Sequence, residues 1–202
     1  MLKSRALTAN EAAAASRVPL KQVNRIIDAG LLEGAVETRQ GARMIRAPAL
    51  IALKLAYVTA EVLKPAARRE AVLNVLTKPA KPTIQHHPVR MEMGALEAEL
   101  REGLEDLAQA RAMVEIDGEI MGGAPCFLGS RIPVHDIADM LCNGDTAAAI
   151  ASAYPSLDDR RIKLALVYAS AYPRRGRPRN SARRALERKS SERMRLEDLP
   201  PA

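Results

Sequence analysis

Apolar residues recur at helical spacing along most of the chain, and short alternating runs separate the predicted helices. Near the N-terminus, a Thr followed three residues later by Glu precedes an Ala-rich run, a capping-box pattern that predicts a helix over about residues 9–16. The spacing of Val23, Ile26 and Ile27 predicts a second helix, which Gly30 ends in the left-handed conformation. Two short helices joined by a three-residue turn predict a helix-turn-helix.

The second predicted helix carries polar residues on the side opposite its apolar ones. Gln and Asn side chains bond adenine at two positions, Arg does the same with guanine, and Lys binds a phosphate. This face alone is explained equally well by contact with DNA and by ordinary contact with solvent.

A basic segment follows the helix pair. Residues 36–46 read as two short strands around a Gln-Gly turn, with three arginines and no acidic residue after Glu37. A basic hairpin beside such a helix is a wing that reaches flanking phosphates or the minor groove. The DNA contacts predicted from these patterns are Thr8, Lys21, Gln22, Asn24, Arg25, Arg39, Arg43 and Arg46.

The order of helix, turn, helix, the run AGLL at residues 29–32, basic hairpin and further helix resembles the winged helix-turn-helix of the MerR and excisionase class over residues 5–60. Many relatives carry an aromatic residue after the recognition arginine, where this chain has Ile26 or Ile27. The resemblance implies binding to duplex DNA. A homodimer on a two-fold operator is expected, since one recognition helix reads few base pairs.

The middle of the chain predicts connecting structure. Helices are expected over residues 50–63 and 66–76, and the proline-rich run at 78–82 marks a domain boundary. Residues 83–93 favour one or two strands. A charged helix is predicted over residues 96–113, and its leucine stripe suits either a core or a dimer interface: Leu96, Leu100, Leu104 and Leu107.

The reactive side chains of the sequence predict no catalytic or metal site. His86 and His87 are adjacent, so a strand points them to opposite faces, and no cluster of Cys, Asp or Glu completes a ligand set. Cys126 and Cys142 are expected to be buried apolar residues, and His135 is assigned a structural role at a helix start. No nucleophile stands near a His and no phosphate-binding loop follows a strand, so we expect neither an enzyme nor a cofactor.

Three short helices are predicted in the last third. Pro133 opens the first and Asn143-Gly144 ends it, and Asp145 or Thr146 caps the second. Three helices in this order suggest a small homeodomain-like bundle. The apolar face of the third is expected to comprise Ile162, Ala165, Leu166 and Ala169.

Residues 122–179 resemble the bacterial family catalogued as domain of unknown function 433, because the landmarks GxRIPV, YPxL and ALxYA occur here in order. Within that family, chains with an added N-terminal helix-turn-helix resemble VapB-type antitoxins, which are encoded beside a PIN-like ribonuclease toxin. The resemblance implies a type II antitoxin that represses its own operon and inhibits the toxin.

Basic charge is concentrated in the tail, residues 173–202, which holds ten Lys or Arg and four Asp or Glu, against 21 and 20 in the rest of the chain. Such a block predicts a nucleic acid or an acidic protein as partner. A PIN-like nuclease gathers carboxylates around Mg²⁺ or Mn²⁺, and guanidinium groups pair with carboxylates. The predicted toxin contacts are Arg174, Arg175, Arg177, Arg179, Arg183, Arg184 and Leu186.

The tail has a second interpretation. The run RGRP at residues 175–178 resembles the core of an AT-hook, which enters an A·T-rich minor groove. The alternative function is therefore a stand-alone DNA-binding regulator, and the sequence leaves open whether the tail serves DNA, toxin or both.

These patterns predict a mainly α fold with a small β component: a winged helix-turn-helix, a homeodomain-like three-helix bundle and a basic tail. A cytoplasmic protein is expected, because no apolar run is long enough to span a bilayer and the N-terminus lacks a signal-peptide pattern. The predicted domains are the DNA-binding domain with its following helix (1–77), a linker (78–83), a connecting segment suited to dimerisation (84–113), the helical domain (114–172) and the toxin-binding tail (173–202).

Overall fold

The computed structural model describes residues 6–77, 83–86 and 89–174, which are mainly helical with three small antiparallel sheets. The α-helices are α1 (Ala9–Ser16), α2 (Leu20–Asp28), α3 (Leu50–Val58), α4 (Pro65–Thr77), α5 (Met93–Ala112), α6 (Val134–Cys142), α7 (Ala147–Ala153) and α8 (Asp159–Ala171). The strands are β1 (Ala6–Thr8), β2 (Val36–Arg39), β3 (Ala42–Arg46), β4 (Thr83–His86), β5 (Val89–Glu92), β6 (Val114–Glu115) and β7 (Cys126–Phe127).

The first helix pair forms where the sequence predicts it. The Thr8 hydroxyl accepts a hydrogen bond from the Glu11 backbone N–H at 3.2 Å, and Glu11 Oε2 accepts one from the Thr8 N–H at 2.9 Å. This reciprocal capping box satisfies two backbone donors that the helix itself leaves unpaired. Arg17 ends α1 in the left-handed conformation, and α2 begins after Pro19.

The predicted hairpin is confirmed as β2 and β3, with Gln40 and Gly41 at positive φ in its turn. A third strand that the sequence did not predict, β1, pairs with the other edge of β3 and sets Leu7 opposite Ile45. Three residues are too few to show a strand period. The start of α1 is thereby joined directly to the hairpin.

The third helix is shorter than predicted, because α3 ends at Val58 and not at Leu63. Thr59 follows it, and the Thr59 hydroxyl donates to the Leu55 carbonyl at 2.7 Å. Such a bond offers that carbonyl an alternative partner near a helix end. After a short turn, α4 begins at Pro65 and packs against α3.

Helix α5 lies between the N-terminal and C-terminal parts of the chain and contacts α1, α3 and α8. Leu100 and Leu107 are buried, and Leu96 and Leu104 are half-buried against the same core. The leucine stripe therefore packs inside the chain, which is the first of the two alternatives, core or dimer interface, that the sequence left open. A second copy would need another surface.

The C-terminal part contains the three predicted helices, with α6 and α7 packed against α8. Thr146 caps α7 by accepting a hydrogen bond from the Ala149 N–H at 3.1 Å, and Asp158 caps α8. The two-residue strands β6 and β7, which pair Val114 with Phe127, are too short to be predicted from a period.

Two expectations about burial in this part are wrong. Cys142 is exposed because it is the last residue of α6 and follows Met140 and Leu141, which are half-buried against the core. Leu166 is 41% exposed, because α8 packs inward through Ile162 and Tyr168. Within the described residues, no helix combines the length and the apolar character needed to cross a membrane.

Candidate nucleic-acid interface

Helix α2 is anchored by Val23 and Ile26, which are almost completely buried. Because these residues fix the rotation of the helix about its axis, its polar residues are held in defined positions. The predicted DNA contacts of this helix are partly open to solvent, with Lys21 and Arg25 exposed and Gln22 and Asn24 half-buried.

The β2–β3 hairpin is linked to the end of α2 by an ion pair. Arg43 Nη1 on β3 lies 2.7 Å from Asp28 Oδ1, the last residue of α2. Arg39 pairs with Glu37 of the same hairpin at 3.0 Å, and Arg46 is exposed. The hairpin thus reaches the end of α2, and the exposed polar side chains of these two elements are here called the α2–hairpin surface.

Three of its cations have no acidic partner within the part of the chain that the structure describes. Among the described residues, no carboxylate lies within ion-pair distance of Lys21, Arg25 or Arg46. Arg69 of α4 is a further exposed cation close to this surface. Its Nη2 donates a hydrogen bond of 3.1 Å to the carbonyl of Ala29, the residue that follows α2. Arg69 could not be predicted from the sequence, since no local pattern shows that α4 returns to the end of α2.

Thr8 lies in a different setting from the other predicted contacts. Its hydroxyl caps α1, and its half-buried side chain lines a cleft of about 1120 Å³. The cleft is lined by residues from the start of α1, the hairpin, α6 and the turn around Met121. Arg43 and Arg174 are among the lining residues. The structure therefore gives Thr8 a role in capping α1, and of the other predicted DNA contacts it places Arg43 in the same cleft.

The first predicted toxin contact, Arg174, is bound to the body of the protein. Its guanidinium pairs with Asp136 and, at 3.4 Å, with Asp139, both on α6. The remaining predicted toxin contacts lie outside the described residues: Arg175, Arg177, Arg179, Arg183, Arg184 and Leu186.

Tyr172, just before Arg174, joins the two ends of the chain. Its hydroxyl donates to Glu11 Oε1 on α1 at 2.7 Å. Its carbonyl accepts from His135 Nε2 on α6 at 2.8 Å, and its ring packs on Tyr168 with centroids 4.9 Å apart. This cluster could not be predicted from the sequence, because Tyr172 and Glu11 are 161 positions apart and share no motif.

The described residues contain no group of three His, Cys, Asp or Glu side chains placed to hold a metal ion. Burial, aided by the nearby charges of Glu115 and Asp136, raises the pKa of the Cys126 thiol. A thiol with a raised pKa stays protonated at neutral pH and is a poor nucleophile. His135 is 7% exposed, and its ring bonds the Tyr172 carbonyl, which is a structural contact.

Sequence comparison identifies a family and a relative of this chain. Residues 114–169, from β6 into α8, match the family described as protein of unknown function (DUF433). The chain is also 33% identical over 186 residues to the uncharacterized protein y4eO of Sinorhizobium fredii, and the match covers 86% of this chain and 84% of that relative. The chain belongs to one family with y4eO, and its residues 114–169 form a DUF433 domain. No solved structure matches it.

The match to the DUF433 family ends two residues before α8 does, so it covers the β6–β7 pair and α6 to α8 almost completely. Neither the helix pair nor the basic tail falls within residues 114–169. In this DUF433 protein, the α2–hairpin surface is therefore a feature of the part that precedes the family match.

Proposed function

We propose that this protein is a DNA-binding repressor in which α1, α2 and the β2–β3 hairpin act as a winged helix-turn-helix of the MerR and excisionase type. The α2–hairpin surface carries the proposal. Buried Val23 and Ile26 orient α2, buried Ile45 packs β3 into the same core, and the exposed ion pair between Arg43 and Asp28 lies where the hairpin meets the end of α2. In this arrangement α2 enters the major groove and the hairpin contacts the flanking backbone.

The charges of this surface divide into two roles. Lys21 and Arg46 are exposed cations placed to contact phosphates, which position the protein on the duplex. Arg25 on α2 is exposed and has no acidic partner among the described residues, so its guanidinium is available for a guanine edge. We expect a homodimer on a two-fold operator, joined through a surface other than the leucine stripe of α5.

Replacing Arg25 with Ala tests this surface. We expect Arg25→Ala to weaken binding to DNA from upstream of the gene by about 10- to 100-fold, the usual loss for one bidentate base contact. Arg101→Ala is the matched control, because Arg101 is also exposed but lies on α5. Fluorescence anisotropy at one stated salt concentration measures both affinities. Equal losses for the two variants would contradict the proposal.

We further propose that the repressor is the antitoxin of a toxin–antitoxin pair, whose basic tail inhibits a PIN-like ribonuclease. Two observations support this: the family resemblance, and the excess of ten basic over four acidic residues in 173–202. Arginine fork geometry suits the paired carboxylates of a metal-dependent nuclease. The stand-alone regulator with an AT-hook-like tail is the competing function.

Co-expression with the neighbouring reading frame separates these functions. We expect the full chain to co-purify with the neighbour and to silence its ribonuclease activity, and a chain ending at Arg174 to do neither. A chain ending at Asp198 is the control, since it loses only four uncharged residues. If the full chain binds DNA but never captures a neighbouring protein, the stand-alone regulator is the correct function.

A further inference from the structure

We propose that the tail root, residues 172–174, is a latch through which an acidic partner on the basic tail loosens the α2–hairpin surface. The inference rests on the proposed DNA binding of that surface and adds its regulation. The partner carries clustered carboxylates, because the sequence that follows the tail root is rich in arginine.

The inner side of the latch is a chain of hydrogen bonds that ends at the hairpin. The Tyr172 hydroxyl holds Glu11 Oε1 at 2.7 Å, while Glu11 Oε2 holds the Thr8 N–H at 2.9 Å. Thr8 is the last residue of β1 and pairs with Met44 of β3. Tyr172 therefore reaches the hairpin through one carboxylate and one short strand.

Tyr172 is also fixed from the opposite side. His135 is 7% exposed, and its Nε2 donates to the Tyr172 carbonyl at 2.8 Å. Tyr168 packs its ring against both of them, with the His135 ring edge-on at 5.8 Å. Because residues of α6 and α1 both bond Tyr172, movement of the tail root breaks a hydrogen bond to each helix.

The outer side of the latch is open to competition. Arg174 pairs with Asp136 and Asp139 on α6, and all three side chains are 40–63% exposed. Exposed ion pairs contribute little to stability and exchange readily for other carboxylates. A partner that binds the adjacent arginines with clustered carboxylates therefore competes for Arg174 and pulls on Tyr172.

Amide hydrogen exchange tests the latch without DNA. We expect Tyr172→Phe, which keeps the ring and removes the hydroxyl, to speed exchange at the Thr8 and Glu11 amides about tenfold, because a hydrogen bond to a charged acceptor is lost. Tyr57→Phe is the matched control, since the Tyr57 hydroxyl has no hydrogen-bond partner among the described residues. Unchanged exchange in Tyr172→Phe would overturn the proposal.

Poly-L-glutamate serves as the acidic probe. We expect it to speed the same amides in the full chain and to have no effect on a chain ending at Arg174. Asp136→Asn, a surface change that keeps Arg174 for the probe, should lower the poly-L-glutamate concentration required by about threefold or more, since one competing ion pair is already open. Equal exchange with and without the probe in the full chain would overturn the latch.

The DNA measurement keeps the two proposals apart. If the Arg25→Ala effect on DNA is seen but poly-L-glutamate leaves the exchange unchanged, the latch is wrong and the repressor stands. If the exchange responds but the chain binds no DNA, the proposed function is wrong and the coupling of tail root to hairpin stands.

Discussion

At the scale of single residues, Lys54 shows how one charge is accommodated in an apolar helix. It is 4% exposed on α3, donates to the Ser16 carbonyl at 3.1 Å and pairs with Glu99 Oε2 at 2.7 Å. A buried ammonium is costly unless its donors are satisfied. The ion pair therefore links α3, α1 and α5 at one point.

This ion pair predicts a pH dependence. The hydrogen bond from Lys54 lowers the pKa of Glu99 below its ordinary value of 4.5. A lowered carboxyl pKa gives stability that is present above the unfolded value and is lost as the pH falls through the folded one. We expect Glu99→Gln to be less stable than the parent at pH 7, and the difference to shrink as the pH falls below 4.5.

Urea midpoints at a series of pH values measure the effect. Glu97→Gln is the control, because Glu97 is also exposed on α5 and has no ion-pair partner among the described residues. It should follow the parent at every pH. A Glu99→Gln curve that also follows the parent throughout would show that the ion pair contributes nothing.

At the scale of elements, the crossing of α1 and α5 sets the distance between the two parts of the chain. Gly103 is buried in α5, and a Cβ there would lie 2.0 Å from the Ala15 carbonyl oxygen of α1. Backbone oxygens cannot move aside as side chains do. The two helices contact each other this closely only because residue 103 is glycine.

Gly103→Ala is therefore expected to destabilise the protein by about 1–3 kcal/mol, the usual cost of overpacking a tight core. Gly94→Ala on the same helix is the matched control, since no atom lies within 4 Å of the added Cβ. It should be neutral or stabilising by up to about 1 kcal/mol, because alanine favours helix. Chemical denaturation measures the free energy of unfolding of both variants. Equal stabilities would contradict the close contact between α5 and the Ala15 carbonyl of α1.

At the scale of the whole molecule, the helices were predictable and their mutual contacts were not. Local signals such as the Thr8–Glu11 capping box and the spacing of Val23 and Ile26 placed α1 and α2 correctly. The strands β1, β6 and β7 were missed, because two or three residues show no period. Periodicity also placed Leu166 inside, since it cannot say which neighbours a helix will meet.

The candidate site likewise contains residues that the sequence predicts and residues that it does not. The exposed residues of α2 and the hairpin were predicted from residue type and spacing alone. Arg69 and Tyr172 were not, because each acts through a contact with a distant helix. The predicted domain boundaries describe the order of elements along the chain, whereas buried contacts cross them: Ala171, near the end of the helical domain, belongs to the N-terminal core.

Because α5 packs against helices from both the N-terminal and the C-terminal part of the chain, we expect these parts not to fold as independent fragments. A fragment that ends at residue 77 lacks α5, so the small residues of α1 that pack against α5 would be exposed to water. A fragment that starts at residue 114 also lacks α5, so the side of α8 that packs against α5 would be exposed. Such surfaces promote aggregation. A hybrid protein that joins the α2–hairpin surface to a foreign tail must therefore also contain α5 and α8. Natural recombination of these parts is restricted in the same way.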